Sequence, residues 1–372
     1  RNVTGVQTCA LPISLSLQAL TWLKQAGATQ FLFKYCSTFD STPKGNIGPV
    51  ADALLEALGA DFTVACPAFP TNARSVYQGH LFVGPTLLSE SGMRDHPLTP
   101  MTDANLVRVL GAQTKHKVGL VPFARVEAGA AAVQQAFAEL RQQGFRYAIA
   151  DAVTDTHLRT LGEALADFAL TTGGSGIAMG LPENFRKSGR LQKTAGVDRL
   201  PPASGHAAII AGSCSTATLG QVEAFRVSHP AFAIDPIALA NGRQPIDDAL
   251  TWARSKLGNE PILIYASAPP ERVASIQQLL GREEAGALIE KALAEIAVRL
   301  VDDGVRRLVV AGGETSGAVV NALDVQALQI GPEIDPGVPW TLGMDDRGLF
   351  LALKSGNFGS REFFTKAFEV LQ

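Results

Sequence analysis

Three segments in the second half of the chain place small and polar residues where an apolar run ends and a helical pattern begins. They read IIAGSCSTAT (209–218), LVVAGGETSGAVV (308–320) and LALKSGNFGS (351–360). Small residues at such junctions let backbone N–H groups approach phosphate oxygens, and the following helix adds a partial positive charge of roughly half a unit. Three junctions together predict a phosphate or nucleotide site, with ordinary tight-turn chemistry as the alternative.

The spacing of these small residues excludes two common nucleotide sites. Gly312 and Gly317 have the separation of a P-loop, but Ala318 stands where that motif requires lysine. No GxGxxG follows any predicted strand, so a standard dinucleotide site is not supported either.

Polar residues crowd the segment FKYCSTFDSTPKGNIG (33–48) between a predicted strand and a predicted helix. Cations with hydroxyl and amide donors suit a polyhydroxylated carboxylate, and an aspartate could orient a substrate hydroxyl. A polar loop with an Asx turn and a helix cap explains the same residues without a ligand.

Two further loops are candidates. Arg74, in CPAFPTNARSVYQGHLFVG (66–84), is a candidate partner for a carboxylate in a loop that precedes a strand, unless it is a lone surface arginine. The small-residue loop TTGGSG (171–176) could face a ligand or simply lead into a helix. The six histidines have no metal-ligand spacing, and the sequence assigns no metal ligand.

Strands that alternate with helices must position these loops, which predicts an α/β fold of two domains, each a largely parallel sheet covered by helices. The predicted strands are almost entirely apolar, as doubly covered strands are. They span residues 30–35, 61–65, 118–123, 147–152, 206–211, 262–266, 307–311 and 349–353. The predicted helices span residues 15–23, 47–58, 128–143, 218–226, 246–257, 283–301, 316–323 and 360–371.

The composition indicates a cytoplasmic protein. A net charge of −3 over 372 residues gives no basic footprint for nucleic acid, and charged or polar residues interrupt every apolar run before membrane-spanning length. Four widely spaced cysteines read as reduced thiols rather than as a disulfide framework. No secretory signal is visible, and the sequence leaves open whether the chain forms a homo-oligomer.

The first 14 residues, RNVTGVQTCALPIS, show no periodicity and no initiating methionine. They resemble translated sequencing adapter, so we expect a non-native or irregular tail over 1–14; a native N-terminal tail is the alternative. We expect a first domain over 15–185, a Gly- and Pro-containing linker over 186–205 and a second domain over 206–372.

The motifs together resemble the four-carbon acid sugar kinase family, in family order and from about residue 15 to the end. They are KYCSTFDSTPKGNIGPV, PAFPTNARSVYQGHLFV, AGSCSTAT, AGGETSGAV and KSGNFGSREFF. The resemblance implies a sugar-acid domain followed by an ATP domain, with the active site in a cleft between them. It implies phosphorylation of the terminal hydroxyl of a small sugar acid by ATP with Mg²⁺, favouring 3-oxo-tetronate over a threonate or erythronate derivative.

The resemblance also implies site residues. The expected ATP contacts are Ser213, Gly312, Gly313, Glu314, Thr315 and Gly356. The expected sugar-acid contacts are Lys34, Ser41, Lys44 and Arg74, and Asp40 is the candidate catalytic base.

One departure from the family pattern concerns the start of the chain. Family members open with a strand that ends in Asp-Asp-x-Thr-Gly, and this motif is absent here. Its acidic groups are the alternative to Asp40 as the catalytic base. We therefore expect the first domain to lack its opening strand and helix and this chain to be poorly soluble and inactive. A sugar-acid oxidoreductase and a non-catalytic sugar-acid binding protein are the alternatives of another class.

Overall fold

A computed structural model describes residues 5–96, 99–192, 194–242, 245–258, 260–268, 273, 275–276, 278–279 and 281–371. The chain divides into an N-terminal unit, residues 1–193, and a C-terminal unit, residues 194–372. This boundary falls inside the predicted linker 186–205. No described helix is long and apolar enough to cross a membrane.

The N-terminal unit contains a parallel sheet of five strands in the order β1-β8-β2-β7-β6 and a small antiparallel sheet, β3-β4-β5. Its elements are α1 (Gly5–Gln25), β1 (Phe31–Lys34), α2 (Ile47–Leu58), β2 (Thr63–Cys66), β3 (Arg74–Tyr77), β4 (His80–Val83), β5 (Thr86–Leu87), α3 (Leu106–Gly111), β6 (Lys117–Val121), α4 (Phe123–Glu127), α5 (Ala130–Gln142), β7 (Phe145–Ala150), α6 (Asp155–Ala164), β8 (Leu170–Gly173) and α7 (Pro182–Lys187).

The C-terminal unit contains one sheet of seven strands in the order β10-β11-β9-β12-β15-β14-β13. The first five are parallel, and β14 and β13 are antiparallel to their neighbours. Its elements are β9 (His206–Ala211), α8 (Thr216–Arg226), β10 (Ala231–Ala233), α9 (Pro236–Ala240), α10 (Pro245–Lys256), β11 (Ile262–Tyr265), α11 (Arg282–Asp302), β12 (Val305–Ala311), α12 (Gly313–Ala322), β13 (Leu328–Asp335), β14 (Val338–Gly343), β15 (Phe350–Lys354) and α13 (Phe363–Val370).

Burial on both faces explains why these strands are apolar throughout. In β9, Ala208 and Ile210 pack into one core, while Ile209 and Ala211 pack into the core on the opposite face. Alternate residues of a strand point to opposite faces, so each face requires its own apolar set. The two-domain α/β class predicted from the sequence is confirmed.

Two local predictions were wrong, and one pair of strands was missed. Arg74 does not lie in a loop before a strand; it begins β3, in a hairpin that turns through Gln78 (φ 49°) and Gly79 (φ 73°). Part of the small-residue loop 171–176 is strand β8, which lies between β1 and β2. Glycine is needed there because a Cβ on Gly173 would lie 2.2 Å from the Cys66 carbonyl oxygen. The antiparallel strands β13 and β14 were not predicted at all.

The expectation of an irregular tail was also wrong wherever the structure describes it. Residues 5–14 belong to α1, although residues 1–4 lie outside the described part. Ile13, Leu17 and Leu20 follow a helical spacing and pack on the core, so the apolar stripe begins before residue 15. The prediction that residues 1–14 are non-native stays a prediction.

Helix α6 packs so closely on the segment at Gly180 that it has no room for a side chain at Gly162. A Cβ there would lie 2.3 Å from the Gly180 Cα, while a Cβ on Gly111 at the end of α3 would meet nothing within 4 Å. We expect Gly162→Ala to destabilise the protein by about 1–3 kcal/mol through overpacking. Gly111→Ala should change stability by less than about 1 kcal/mol. Equal denaturation midpoints for the two variants would contradict this close packing.

Candidate active site

Three neighbouring strands of the C-terminal unit end at the same edge of the sheet. Strands β9, β12 and β15 are adjacent and parallel, and a loop and then a helix follows each of them. The carboxyl edge of an open parallel sheet is where α/β proteins bind ligands. The three junctions singled out in the sequence therefore meet in one place.

The three junctions touch one another through their glycines. A Cβ on Gly212 would lie 2.3 Å from Thr315 Oγ1, and a Cβ on Gly356 would lie 2.3 Å from Ser213 Oγ. Gly312 has φ 134°, in the range that favours glycine, and its N–H donates to the Lys354 carbonyl at 2.8 Å. Side chains at these positions would push the loops apart.

Helix α12 begins at this junction without a side-chain cap. Its N-cap is Gly312, which has no side chain to accept a bond from the first turn. The first N–H groups of a helix lack intrahelical partners and carry the positive end of the helix dipole. The position of a Cβ on Gly313 is open space, and Glu314 is exposed in the same turn. An anion fits this helix start.

One face of α8 holds the loop that follows β15. Ser215 and Thr218 donate to the Gly356 carbonyl at 2.5 and 2.9 Å. One turn further, Gln221 Nε2 donates to the carbonyls of residues 358, 359 and 360 at 3.0, 3.1 and 2.9 Å. The polar spacing i, i+3, i+6 in STATLGQ could have identified this face, but our reading of the sequence did not use it.

Lys354, at the end of β15, is the charged residue of this site that sequence reasoning missed. Its side chain is completely buried, and Nζ donates to Thr218 Oγ1, Ser355 O and Gly356 O at 3.0, 3.0 and 3.1 Å. Burial lowers the pKa of Lys354 to about 7. A lysine that ends an otherwise apolar strand was the available signal.

In the N-terminal unit, the loop between β1 and α2 brings Asp40 close to Arg74. Thr38 Oγ1 donates to the Asp40 carboxylate at 2.7 Å, and Phe39 and Asp40 have positive φ values of 63° and 33°. Arg74 is buried, which lowers its pKa, while the charges of Cys36 and Asp40 oppose that shift. Two successive strained residues indicate a loop held by its surroundings.

Gln113 clamps this loop to the start of α2, and sequence reasoning missed it. Its Nε2 donates to Ser41 Oγ at 2.8 Å and to the Thr42 carbonyl at 2.7 Å, and its Oε1 accepts from Gly48 N at 3.0 Å. The predicted contact Ser41 is therefore buried against a protein partner. The predicted contacts Lys34 and Lys44 are both exposed. No local sequence pattern points to Gln113, which is distant in the chain.

Asp151, at the end of β7, anchors the hairpin that carries Arg74. Its buried carboxylate accepts the N–H groups of Gln78, Gly79 and Phe123 at 2.7, 2.9 and 2.8 Å. Burial raises the pKa of this carboxyl group, and the three N–H groups oppose that rise. The hydrogen bonds fix the hairpin turn against the main sheet.

Family models match both units. One described as a sugar-binding N-terminal domain matches residues 13–181, and one described as a nucleotide-binding C-terminal domain matches residues 208–364. The chain thus has the organisation of a protein that joins a sugar-binding domain to a nucleotide-binding domain. The chain belongs to the four-carbon acid sugar kinase family, because proteins named 3-oxo-tetronate kinase are up to 58% identical to it over 96% of its length.

Relatives named 3-oxo-tetronate kinase match almost the whole chain. The Burkholderia multivorans protein is 58% identical over 96% of this chain and 84% of its own length. The Cupriavidus necator protein is 56% identical over 96% of this chain and 83% of its own length. The Haemophilus influenzae protein is 48% identical over 95% of this chain and 85% of its own length.

Two solved structures are also similar. A Haemophilus influenzae protein of the DUF1537 family is 47% identical, with a TM-score of 0.69 over 97% of this chain and 86% of that one. A Salmonella typhimurium LT2 protein, provisionally described as a tRNA synthase, is 43% identical, with a TM-score of 0.80 over 98% of this chain and 86% of that one.

The clamp at Gln113 leads to a prediction. Gln113→Ala removes three hydrogen bonds, each worth about 1 kcal/mol, so we expect a loss of about 1–3 kcal/mol of stability. Amide hydrogen exchange should accelerate over residues 41–48, because this segment loses its attachment. Gln142→Ala, at an exposed position of α5, is the control and should change neither quantity. Unchanged exchange over 41–48 in Gln113→Ala would show that the loop is held by other contacts.

Proposed function

We propose that the protein to which this chain belongs is an ATP-dependent kinase that phosphorylates the terminal hydroxyl of a four-carbon sugar acid, converting 3-oxo-tetronate to 3-oxo-tetronate 4-phosphate. The expectation that the chain as given is poorly soluble and inactive stays a prediction. The observation that carries the proposal is the meeting of three glycine-bearing junctions in the part matched by a nucleotide-binding model. The choice of acceptor is supported by relatives at 56–58% identity that are named for it.

The proposed ATP contacts lie at the three junctions. They are Ser213, Gly312, Gly313, Glu314, Thr315 and Gly356. Backbone N–H groups at the start of α12 would bind phosphate oxygens, since the helix has no side-chain cap and the space at Gly313 is open. Close packing of Gly356 on Ser213 would hold the loops that follow β15 and β9 against each other.

The proposed sugar-acid contacts are Lys34, Ser41, Lys44 and Arg74, with Asp40 as catalytic base. Arg74 is the best supported carboxylate partner, because a buried guanidinium makes stronger charge-assisted hydrogen bonds than an exposed one. Asp40 would accept the proton of the attacking hydroxyl. Phosphoryl transfer depends mainly on positioning and charge stabilisation, so this base would contribute less than the groups that hold the phosphates.

Mg²⁺ belongs to the proposal as the partner of ATP. Within the described ranges no three His, Cys, Asp or Glu side chains cluster in a way that could hold a metal ion. This fits Mg²⁺, which is commonly held by substrate phosphates with one or two carboxylates. Burial and the nearby charge of Glu314 together raise the pKa of Glu290. Glu314 is the carboxylate that would bind the ion together with the phosphates. The ion would neutralise phosphate charge.

The alternatives of another class are weaker. An oxidoreductase lacks support because no GxGxxG follows a strand, and the named relatives are kinases. A role on tRNA would require a basic surface, which a net charge of −3 does not suggest. We also propose a cytoplasmic location, supported by the free thiols Cys36, Cys66 and Cys214.

The nucleotide site can be tested by comparing two glycines of α12. Neither Gly313 nor Gly317 has an atom within 4 Å of its Cβ position, but Gly317 lies one turn further from the helix start. We expect Gly313→Val to weaken binding of ATP with Mg²⁺ by at least about tenfold, because it displaces phosphates from charge-assisted N–H donors. Gly317→Val should bind ATP like the wild type. Calorimetry on the full chain measures both, and equal affinities would move the site away from α12.

The carboxylate partner can be tested with an acid and its neutral analogue. We expect Arg74→Met to weaken binding of 3-oxo-tetronate by at least about tenfold, because it removes a charge-assisted hydrogen bond. Binding of erythrulose, in which a hydroxymethyl group replaces the carboxylate, should not change. Arg108→Met is the control, since Arg108 is exposed and pairs with Asp103 at 2.7 Å. Equal losses for both ligands would mean that Arg74 shapes the loop and does not bind the carboxylate.

A further inference from the structure

Lys354 presents three donors to three acceptors. Its Nζ contacts two carbonyl oxygens, Ser355 O and Gly356 O, and the hydroxyl oxygen of Thr218. The Thr218 hydroxyl already donates its hydrogen to the Gly356 carbonyl, so it can only accept from lysine. Three acceptors match the three hydrogens of an ammonium group, whereas a neutral amine would leave one bond unmade.

Among the residues that the structure describes, no carboxylate pairs with this ammonium. Burial is the cause of the lowered pKa of Lys354, about 7, with no opposing charge among the described residues. The charged groups of the elements around it are engaged elsewhere or exposed. Glu223 pairs with Arg226 on α8, Asp335 with Lys366, Arg306 with the Val301 carbonyl and Arg307 with the Gly205 carbonyl. Glu314, Arg361 and Glu362 are exposed. A buried cation without an opposite charge beside it is costly in free energy. Lys354 therefore holds its proton more weakly in the folded protein than an exposed lysine does.

The ammonium also helps to hold the Gly356 carbonyl in hydrogen bonds within the protein. The Gly356 carbonyl accepts from Ser215 Oγ, Thr218 Oγ1 and Lys354 Nζ, so its oxygen is occupied by protein donors. If this oxygen faced the proposed phosphates, its negative end would repel them. Holding it in these hydrogen bonds leaves the surface at Gly356 and Ser213 without that repulsion.

We propose that Lys354 is a positioning residue of the nucleotide site, and that nucleotide binding is coupled to the uptake of one proton by its side chain. The inference rests on the proposed nucleotide site. The proton comes from solvent and converts the amine to the ammonium, which then completes the three hydrogen bonds and attracts the phosphates. A bound polyanion supplies the negative charge that the protein does not.

The direction of the pH effect follows from the charges. Near pH 8 most free protein carries the neutral amine, because burial lowers the Lys354 pKa to about 7. Bound phosphates favour the ammonium and raise that pKa, so binding takes up a proton. Affinity therefore falls as pH rises above the free-state pKa, by up to about tenfold for each unit by which the nucleotide raises the pKa.

The experiment is calorimetric titration of the full chain with ATP and Mg²⁺, without sugar acid, in two pH 8 buffers of different ionisation enthalpy. At this pH the terminal phosphate, with a pKa of about 6, no longer titrates and does not obscure the protein's proton. We expect the wild type to take up a substantial fraction of a proton. Lys354→Met should take up none and bind ATP about tenfold more weakly near pH 7, with no further weakening between pH 7 and 9.

The variant Thr218→Val separates the effect of the Lys354 charge from the effect of the hydrogen bonds that position the Gly356 carbonyl. It removes one acceptor of Lys354 and one donor to Gly356 but keeps the lysine, so binding should weaken while proton uptake persists. Proton uptake unchanged in Lys354→Met, or ATP binding by the wild type with no uptake, would overturn this inference alone. Absence of ATP binding by the folded wild type would overturn the proposed function and this inference together. The wild-type titration is decisive even where a variant fails to fold.

Discussion

The close approach of three strand-to-helix junctions is the constraint on which the C-terminal unit depends. Strands β9, β12 and β15 lie side by side and run the same way, so their loops must share one edge. The space between the loops admits no side chain at Gly212 or Gly356. The core packs the strands, but the glycines decide how near the loops come. This approach brings the backbone groups of the three loops together, which is what the proposed phosphate site requires.

Polar side chains that are buried or half-buried and each make several hydrogen bonds hold the loops of both units. Gln113 and Asp151 do this in the N-terminal unit, and Gln221 and Lys354 in the C-terminal unit. A loop lacks the repeating backbone hydrogen bonds of a strand, so its carbonyl and N–H groups need side-chain partners when buried. Each clamp thereby satisfies several backbone groups at once. Loss of one clamp leaves more than one of them unpaired.

The two units differ in how they suit their ligands. In the C-terminal unit the junctions are built from backbone and small side chains, which matches phosphates that need many N–H donors. In the N-terminal unit, the loop between β1 and α2 contains charged residues and strained backbone. Asp40 has a positive φ and lies close to the buried Arg74. A hydroxylated acid needs a few oriented polar groups, with a cation for its carboxylate and an acceptor for a hydroxyl. The composition of each set of loops thus agrees with the chemistry of the ligand that we propose for it.

The sequence by itself determined the two-domain α/β class, most of the parallel strands and the loops that bear the candidate residues. It could do so because apolar periodicity and glycine punctuation are local: the helix 47–58 and the strand 206–211 agree with the structure residue for residue. Tertiary structure alone decided what lies opposite these loops. Gln113 contacts a loop some 70 residues away, and Lys354 meets Thr218 across 136 residues. Such pairs leave no local pattern, because their partners are chosen by the packing of the sheet.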